Sequence, residues 1–568
     1  MDSGEKRLNE LGYKQELRRE LSFFKTLAIT FSCIAVFTET PLYGQSLSYA
    51  GPASLIWGWV VVTFFTWFVG LALAEICSSF PTTGSLYFWT AHLAGPRWGP
   101  FASWCCAWLE TIGLISGIGF GAYSAALILQ IIILLSTGTN TGGGYLAPRS
   151  VFLCMYMGYI LIWAVLNSFA MRVVAYLNII SIWWQVVGGL VVIIMLPLVA
   201  YPVQPASYVF THFETAPEDT GISSKPYAVI MSVLLSSYSL IGYDVAAHLT
   251  EETKGADRTG PMAILTTIAI ITVFGWAYLL ALTFSIKNPS YLYDVNNETA
   301  GVLVPAQIFY DAFHGRFHNS TGAIVFLCII WGSFFFGGLS ITTCAARVVY
   351  AVSRDKAFPF SHVWRRIHPK HKVPINTVWL CAGLSAIIGL PILKVDAIFT
   401  ALISINSIGW VGSYGGGGGE TVEERGGEEA KRMREVVQWG GREKVAVVVI
   451  AGSGREEGSE EEEKRGERQP VDGIDFFVTD TFGEGLYDSC KDVKFGTMNT
   501  RALEFVGAGA QTFRGKVCLL LEIASLSVVN AAEWFIVPYI LGLRTKCMRR
   551  FRGTVKYCNS TYIGSKLE

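Results

Sequence analysis

Between residues 24 and 414 the chain presents ten apolar stretches, each long enough to cross a lipid bilayer. Few features constrain a fold more. In hydrocarbon no water is available to the backbone, so every N–H and C=O must be satisfied within the protein, and separate spans of this length become helices. The stretches lie near 24–50, 53–75, 101–135, 150–169, 174–199, 227–249, 261–286, 322–352, 375–393 and 397–414. The third and eighth exceed 30 residues, which implies tilt or extension beyond the bilayer. Composition agrees: 15% of residues are charged, against about 25% in soluble domains. Cys33, Cys77, Cys105, Cys106, Cys154, Cys328, Cys344 and Cys381 fall in or beside apolar runs without metal-ligand spacing and read as small buried hydrophobes.

Two of the spans are interrupted. The first carries "TETPLYG" at 38–44 and the sixth "YSLIGYD" at 238–244. Pro41 removes a backbone donor, and Gly44 and Gly242 permit dihedrals that other residues avoid. Counting five spans from each break gives two matched blocks with the long third and eighth spans in corresponding places, the pattern of an inverted-repeat transporter whose substrate sits between two discontinuous helices. Amides around Thr40, Leu42, Tyr43, Gly44 and Gln45 would then form a positive pole for a carboxylate. Carbonyls around Ser239, Leu240, Ile241 and Gly242 would form a negative pole for an ammonium. A zwitterionic or ω-amino acid fits that pair, although a plain proline kink would also explain one such interruption by itself.

Carboxylates at membrane depth are functional candidates. Glu39 and Glu110 are expected to meet a substrate amine or a coupling proton; Asp244, seven residues before "EETKGADR", reads equally as such a candidate or as a carboxylate facing the cytosolic vestibule, and His248 is expected to act as a tether. "WGSFFFGGLSITT" in the eighth span offers a lid from Phe334 to Phe336, Phe335 at its centre, with Ser340 or Thr342 for polar contact. There is no phosphate-binding glycine loop, nucleophile elbow, zinc spacing or Ser/His/Asp set, so neither an enzyme nor a cofactor, a metal or a nucleic-acid partner is expected. The expected partners are an amino-acid substrate, a co-transported proton or cation, and the bilayer.

Short-loop charge sets orientation. With a cytosolic N-terminus the inner side holds 17 Lys and Arg, counting Lys25 and Arg347 near the inner span ends, and the outer segments five. Two N-x-[ST] acceptors, at Asn297 and Asn319, fall in a loop on the outer side. The expected organisation is a cytosolic segment 1–23, a ten-span region 24–414, a Gly/Glu/Arg-rich disordered linker 415–470, and a tail 471–568 whose apolar run 517–543 is a candidate helix interrupted by Glu522 and Glu533.

The strings "LAEICSSFPTTGSLYFWTAHLAGPRWGPFASW", "LLSTGTNTGGGY", "GYDVAAHLTEETKGADRTGP", "WGSFFFGGLSITT" with "ARVVYAVSRD", and "VPINTVWLCA" closely resemble the plant GABA and bidirectional amino-acid permeases of the amino acid-polyamine-organocation superfamily over residues 10–414. The resemblance implies an all-α membrane fold of five-plus-five inverted repeats with helices 1 and 6 broken, and transport of amino acids such as GABA. Two departures stand out. The family usually continues into two more helices where this chain enters five glycines after Tyr414, and Phe120 and Gly121 occupy positions where small or polar residues are expected. Residues 471–513 resemble the start of the luminal N-terminal domain of plant Niemann-Pick type C sterol-transport proteins. Two alternatives therefore stay open, a truncated relative that does not transport and a sterol- or lipid-binding membrane protein.

Overall fold

The computed structural model describes residues 3–417 except 14, 18, 170, 216–219, 370–372 and 396. The linker beyond 417 and the tail 471–568, with its run 517–543, lie outside the described residues. In chain order the helices are α1 (Ser3–Glu10), α2 (Phe23–Ile34), α3 (Tyr43–Ser79), α4 (Ser85–Leu93), α5 (Gly95–Thr137), α6 (Arg149–Phe169), α7 (Met171–Val199), α8 (Ala206–Thr211), α9 (Lys225–Tyr238), α10 (Val245–His248), α11 (Ala256–Phe284), α12 (Val304–Phe317), α13 (Thr321–Arg354), α14 (Ser361–Trp364), α15 (Ile375–Gly389) and α16 (Ile398–Gly417). The β pairing among the described residues is one isolated bridge between Leu21 and Thr253.

All ten expected spans coincide with helix. The first is split between α2 and the head of α3, and the sixth between α9 and α10. Within α3 the first span passes into the second at a kink, where Ala50 leaves helical geometry and Gly51 has φ +77°. A Cβ at Gly51 would lie 2.7 Å from the Glu214 amide nitrogen, so both dihedral and space require glycine there. Among the described residues seven helices, α15 taken with the 3₁₀ turn Leu390–Leu393 that follows it, are long and apolar enough to cross a membrane. The protein is an integral, multi-pass membrane protein. The short α4, α8, α12 and α14 are not legible in the sequence, because each is too brief to stand out from its loop.

Burial separates core from periphery. Of the most apolar window of α5, 78% is buried, and 56% in α13, against 33% in α3 and α7. The helix α5 packs on α13 and α16. It reaches α16 closely because Gly113 faces Gly409, where an added Cβ would come within 2.5 Å of the Gly113 Cα; small residues give membrane helices such contacts. Peripheral α7 instead exposes Trp183, Val187, Leu190, Ile194 and Leu198, a stripe at helical spacing suited to lipid.

At one end of the bundle the N-terminal segment is tied to the stretch after α10. The Leu21 amide donates to the Glu252 carbonyl at 2.9 Å, and the Lys254 amide to the Leu21 carbonyl at 2.9 Å. Arg347 pairs with Glu252 at 2.8 Å and Arg354 with Glu251 at 3.0 Å. At the other end Asn297 corrects an expectation. It is fully buried, and its side-chain oxygen accepts from the amides of Thr299 and Gly301. Its sequon is a turn built into the protein, whereas Asn319 is exposed.

Candidate functional site

The first break covers residues 35–42, three residues ahead of the expected 38–44, and closes largely on itself. Ala35 takes φ +55° as its amide caps α2 by donating to the Phe31 carbonyl. The Val36 amide donates to Gln185 Oε1 of α7 at 3.0 Å. The amides of Leu42 and Tyr43 both donate to the Glu39 carbonyl, at 2.9 and 2.8 Å. The expected pole of free amides is therefore absent at Leu42 and Tyr43, since the break turns back on itself. Gly44 is already helical and has no positive φ. Its glycine serves close approach instead, as a Cβ there would sit 2.6 Å from Val304 Cγ2.

The second break covers Ser239–Asp244. Here Gly242 does need its freedom, with φ +99° and no atom nearer than 3.6 Å to where a Cβ would project. Its amide donates to the Tyr414 hydroxyl at 2.9 Å and its carbonyl accepts from Val245 at 3.3 Å. The breaks touch through Ser239, whose hydroxyl donates to Glu39 Oε2.

Between the breaks lies a cavity of about 50 Å³. One water needs roughly 10–15 Å³ of such space, so the cavity suits a few heavy atoms. Its wall comes from α2 and the first break (Cys33, Ala35, Thr38), from the second break (Ile241, Gly242), from α5 (Gly117, Phe120), from α13 (Phe334, Gly338) and from α16 (Asn406, Trp410). Phe120 heads an aromatic cluster, with ring centres 4.7 Å from Tyr238, 6.2 Å from Phe334 and 5.7 Å from Phe399. Asn406 Oδ1 is buried without a hydrogen-bond donor and lies against Gly117, 2.7 Å from where a Cβ would project.

Of the residues singled out from sequence, Ile241 and Gly242 line this cavity. Thr40 bonds Tyr278 at 2.8 Å and Tyr43 bonds Thr283 at 2.9 Å, both toward α11. Leu42 and Leu240 are buried in the apolar core. Ser340 donates to Asn178 Oδ1 at 2.6 Å. Phe335 packs on Trp331, 6.1 Å between ring centres, so the lining phenylalanine of "SFFFGG" is its neighbour Phe334. Sequence reasoning misses Asn406, though an asparagine midway through the apolar "ALISINSIGW" is a readable signal.

Glu110 lies off the cavity. With Asp244 and His248 it forms a cluster in which ligand-capable atoms all lie within 4.8 Å of one another. His248 Nε2 is 3.0 Å from Asp244 Oδ2 and 2.9 Å from Glu110 Oε1. All three are buried. Asp244 therefore does not face a vestibule, because the turn of the second break folds it under α5 and α16, where Tyr414 donates to its Oδ1 at 2.7 Å.

Residues 21–415 match the family described as amino acid permease, and residues 456–561 match the Niemann-Pick C1 N terminus. The chain is similar to the amino-acid permease BAT1 of Arabidopsis thaliana, 42% identical over 416 residues, covering 73% of this chain and 80% of that one. It is also similar to the BAT1 homolog of Oryza sativa subsp. japonica, 44% identical over 414 residues, covering 73% and 79%. Among solved structures, MhsT in complex with L-phenylalanine has the same fold at 13% identity, with a TM-score of 0.51 over 74% of this chain and 93% of that one.

Proposed function

We propose that this chain, which belongs to the amino acid permease family, carries a small amino acid such as GABA by alternating access, holding it in the cavity between the two broken helices. Amino-acid transport follows from the family; the substrate and the cycle are our reading. The observation that carries it is the position of the cavity, bounded by both breaks at once. Asn406 Oδ1, buried without a donor, supplies an acceptor for the substrate ammonium, since an orphaned buried carbonyl oxygen costs about 1–3 kcal/mol until something satisfies it. The small volume and the Phe120 cluster favour an unbranched, compact solute over a bulky one. The ion pairs Arg347–Glu252 and Arg354–Glu251 at one end support a cycle in which those pairs part when the opposite end closes.

The test is uptake of labelled GABA, glutamate, arginine and lysine by the purified full chain in liposomes. Saturable uptake of one or more is expected, with unlabelled substrate competing. A second reading, a membrane relative that binds without transporting, draws on the change of family match between residues 415 and 456. Substrate binding without flux in correctly inserted protein would select it.

A further inference from the structure

The cavity leaves Glu110, Asp244 and His248 unused, and their arrangement is costly unless it has work to do. Exposure is 1% at Glu110 and 0% at Asp244 and His248. Burying an ion costs several kcal/mol unless it is paired and hydrogen-bonded. Here two carboxylates meet one ring nitrogen. Nε2 has a single position for hydrogen, and its hydrogen bond is to Asp244. Both oxygens of Glu110 are left without a hydrogen-bond donor, although Oε1 is 2.9 Å from Nε2. His248 Nδ1 is likewise buried without a partner. The cluster has a place for one more hydrogen than its internal bonds use.

The surroundings do not fill that place. Cys33 on α2, Cys77 on α3, Cys106 on α5, Cys344 on α13, Tyr243 in the second break and Tyr414 on α16 lie within electrostatic reach of Asp244. As neutral thiols and phenols they bring no fixed charge. The guanidinium of Arg347, one turn along α13 from Cys344, is committed to Glu252. Charge balance in the cluster is thus set by its own protons. Asp244 already accepts at both oxygens, at Oδ1 from Tyr414 and at Oδ2 from His248.

The cluster is wired to the cavity. Gly242 lines it, its amide donates to Tyr414, and Tyr414 donates to Asp244, which meets His248, which meets Glu110. A change at the second break that moves the Gly242 amide therefore reaches Glu110 through three side chains. We propose that Glu110, Asp244 and His248 form a proton-binding site, coupled to the cavity through Tyr414 and Gly242, that takes up one proton with each amino acid and releases it on the opposite side. The step forms one O–H bond at a Glu110 carboxylate oxygen from a proton of one compartment. That bond breaks again to deliver the proton to the other compartment, and no electrons change hands. The inference rests on the cavity being the substrate site.

The experiment uses the full chain in sodium-free liposomes with voltage clamped by potassium and valinomycin, a pH dye inside, and labelled GABA, glutamate, arginine and lysine outside. For one-to-one coupling, a gradient of about one pH unit, acid outside, is expected to raise accumulation about tenfold, with internal acidification that a protonophore abolishes. Glu110→Gln and His248→Gln are expected to lose that gradient-driven accumulation relative to exchange without a gradient, Glu110→Asp to retain much of it, and Tyr414→Phe to show an intermediate loss. Accumulation by Glu110→Gln equal to the parent, or accumulation that follows sodium or divalent ions at constant pH, would overturn the proposal. Should the variants fail to insert, proton uptake by the unmodified protein on amino-acid binding in detergent decides, and its absence at every pH rejects the site. Should no amino acid cross at all, the transport reading fails separately. Infrared difference spectra across a pH titration still decide the cluster, because a protonated carboxyl band in the parent that Glu110→Asp shifts supports it and no such band rejects it.

Discussion

The two broken helices look alike in sequence and differ in what they do with their freed backbone. The first break bonds to itself and its neighbours: Leu42 and Tyr43 to Glu39, Val36 to Gln185, Thr40 to Tyr278. The second passes its Gly242 amide to Tyr414 of α16, and it holds a positive φ at the cavity wall as Ala35 does in the first. Both breaks thus use side chains of other helices, but the Val36 bond leads to Gln185 and on to Ser181 within α7, whereas Tyr414 carries the Gly242 bond on to Asp244. The difference lies beyond the bond, and it leaves the second break the one linked to Glu110, Asp244 and His248.

The largest expected effect probes the cavity beside the second break. Asn406→Ala removes the free acceptor, and because hydrogen bonds to charged groups contribute about 1.5–3 kcal/mol, KM for uptake is expected to rise by roughly ten- to hundredfold with little change in thermal stability. An unchanged KM would place the substrate amine elsewhere. Next, the two glycines separate dihedral from space. Gly242→Ala forces a methyl-bearing residue to φ +99°, at about 1–2 kcal/mol, and is expected to cut uptake by about tenfold; trimming neighbours will not rescue it. Gly44→Ala collides with Val304, costs about 1–3 kcal/mol of stability by overpacking, and is expected to recover when Val304 becomes Ala. Equal behaviour of the two variants in these rescues would erase the distinction between the breaks.

Smaller effects sharpen the same contrast. Gln185→Leu orphans the Val36 amide and is expected to lower stability by about 1–3 kcal/mol, read as thermal unfolding in detergent, while the pH dependence of uptake stays put. A control remote from both breaks is Asp311 on α12, whose carboxyl is pushed up to about 6, chiefly by burial, with the Gln307 hydrogen bond opposing. The folded protein then holds this proton more tightly than the unfolded chain does. Stability is expected to fall as pH rises through roughly 4 to 6, by about 1 kcal/mol after allowing for partial exposure, and Asp311→Asn flattens that slope. Finally, Asn319→Gln is expected to remove any N-linked glycan on the loop between α11 and α13, seen as a gel shift on deglycosylation, with Asn297→Gln leaving that glycan in place but lowering stability.

Much of the fold is legible in the sequence. Spans of about 20 apolar residues have one solution in hydrocarbon, and Pro41 and Gly242 announce the breaks to within a few residues. Phe120 stands out as bulky for its place, and it heads the aromatic wall. The site is less legible, because which polar group meets which is a long-range matter. Nothing local distinguishes Asp244, bonded to Tyr414 170 positions away, from a carboxylate at a water-filled entrance. Thr40, Tyr43 and Ser340 sit at plausible positions, but χ angles and helix rotation turn them toward Tyr278, Thr283 and Asn178.

By itself the sequence determined that this protein lies in a membrane, which apolar runs before residue 414 become helices and where two of them open, since these follow from hydrophobic length and from residues that cannot hold helical hydrogen bonds. Tertiary structure alone decided that both breaks border one cavity, that Asn406 Oδ1 meets no hydrogen-bond donor there, and that Glu110, Asp244 and His248 share one buried place. Those outcomes depend on the rotation and depth at which helices pack, which small contacts such as Gly113 on Gly409 set, and which no local run of residues encodes.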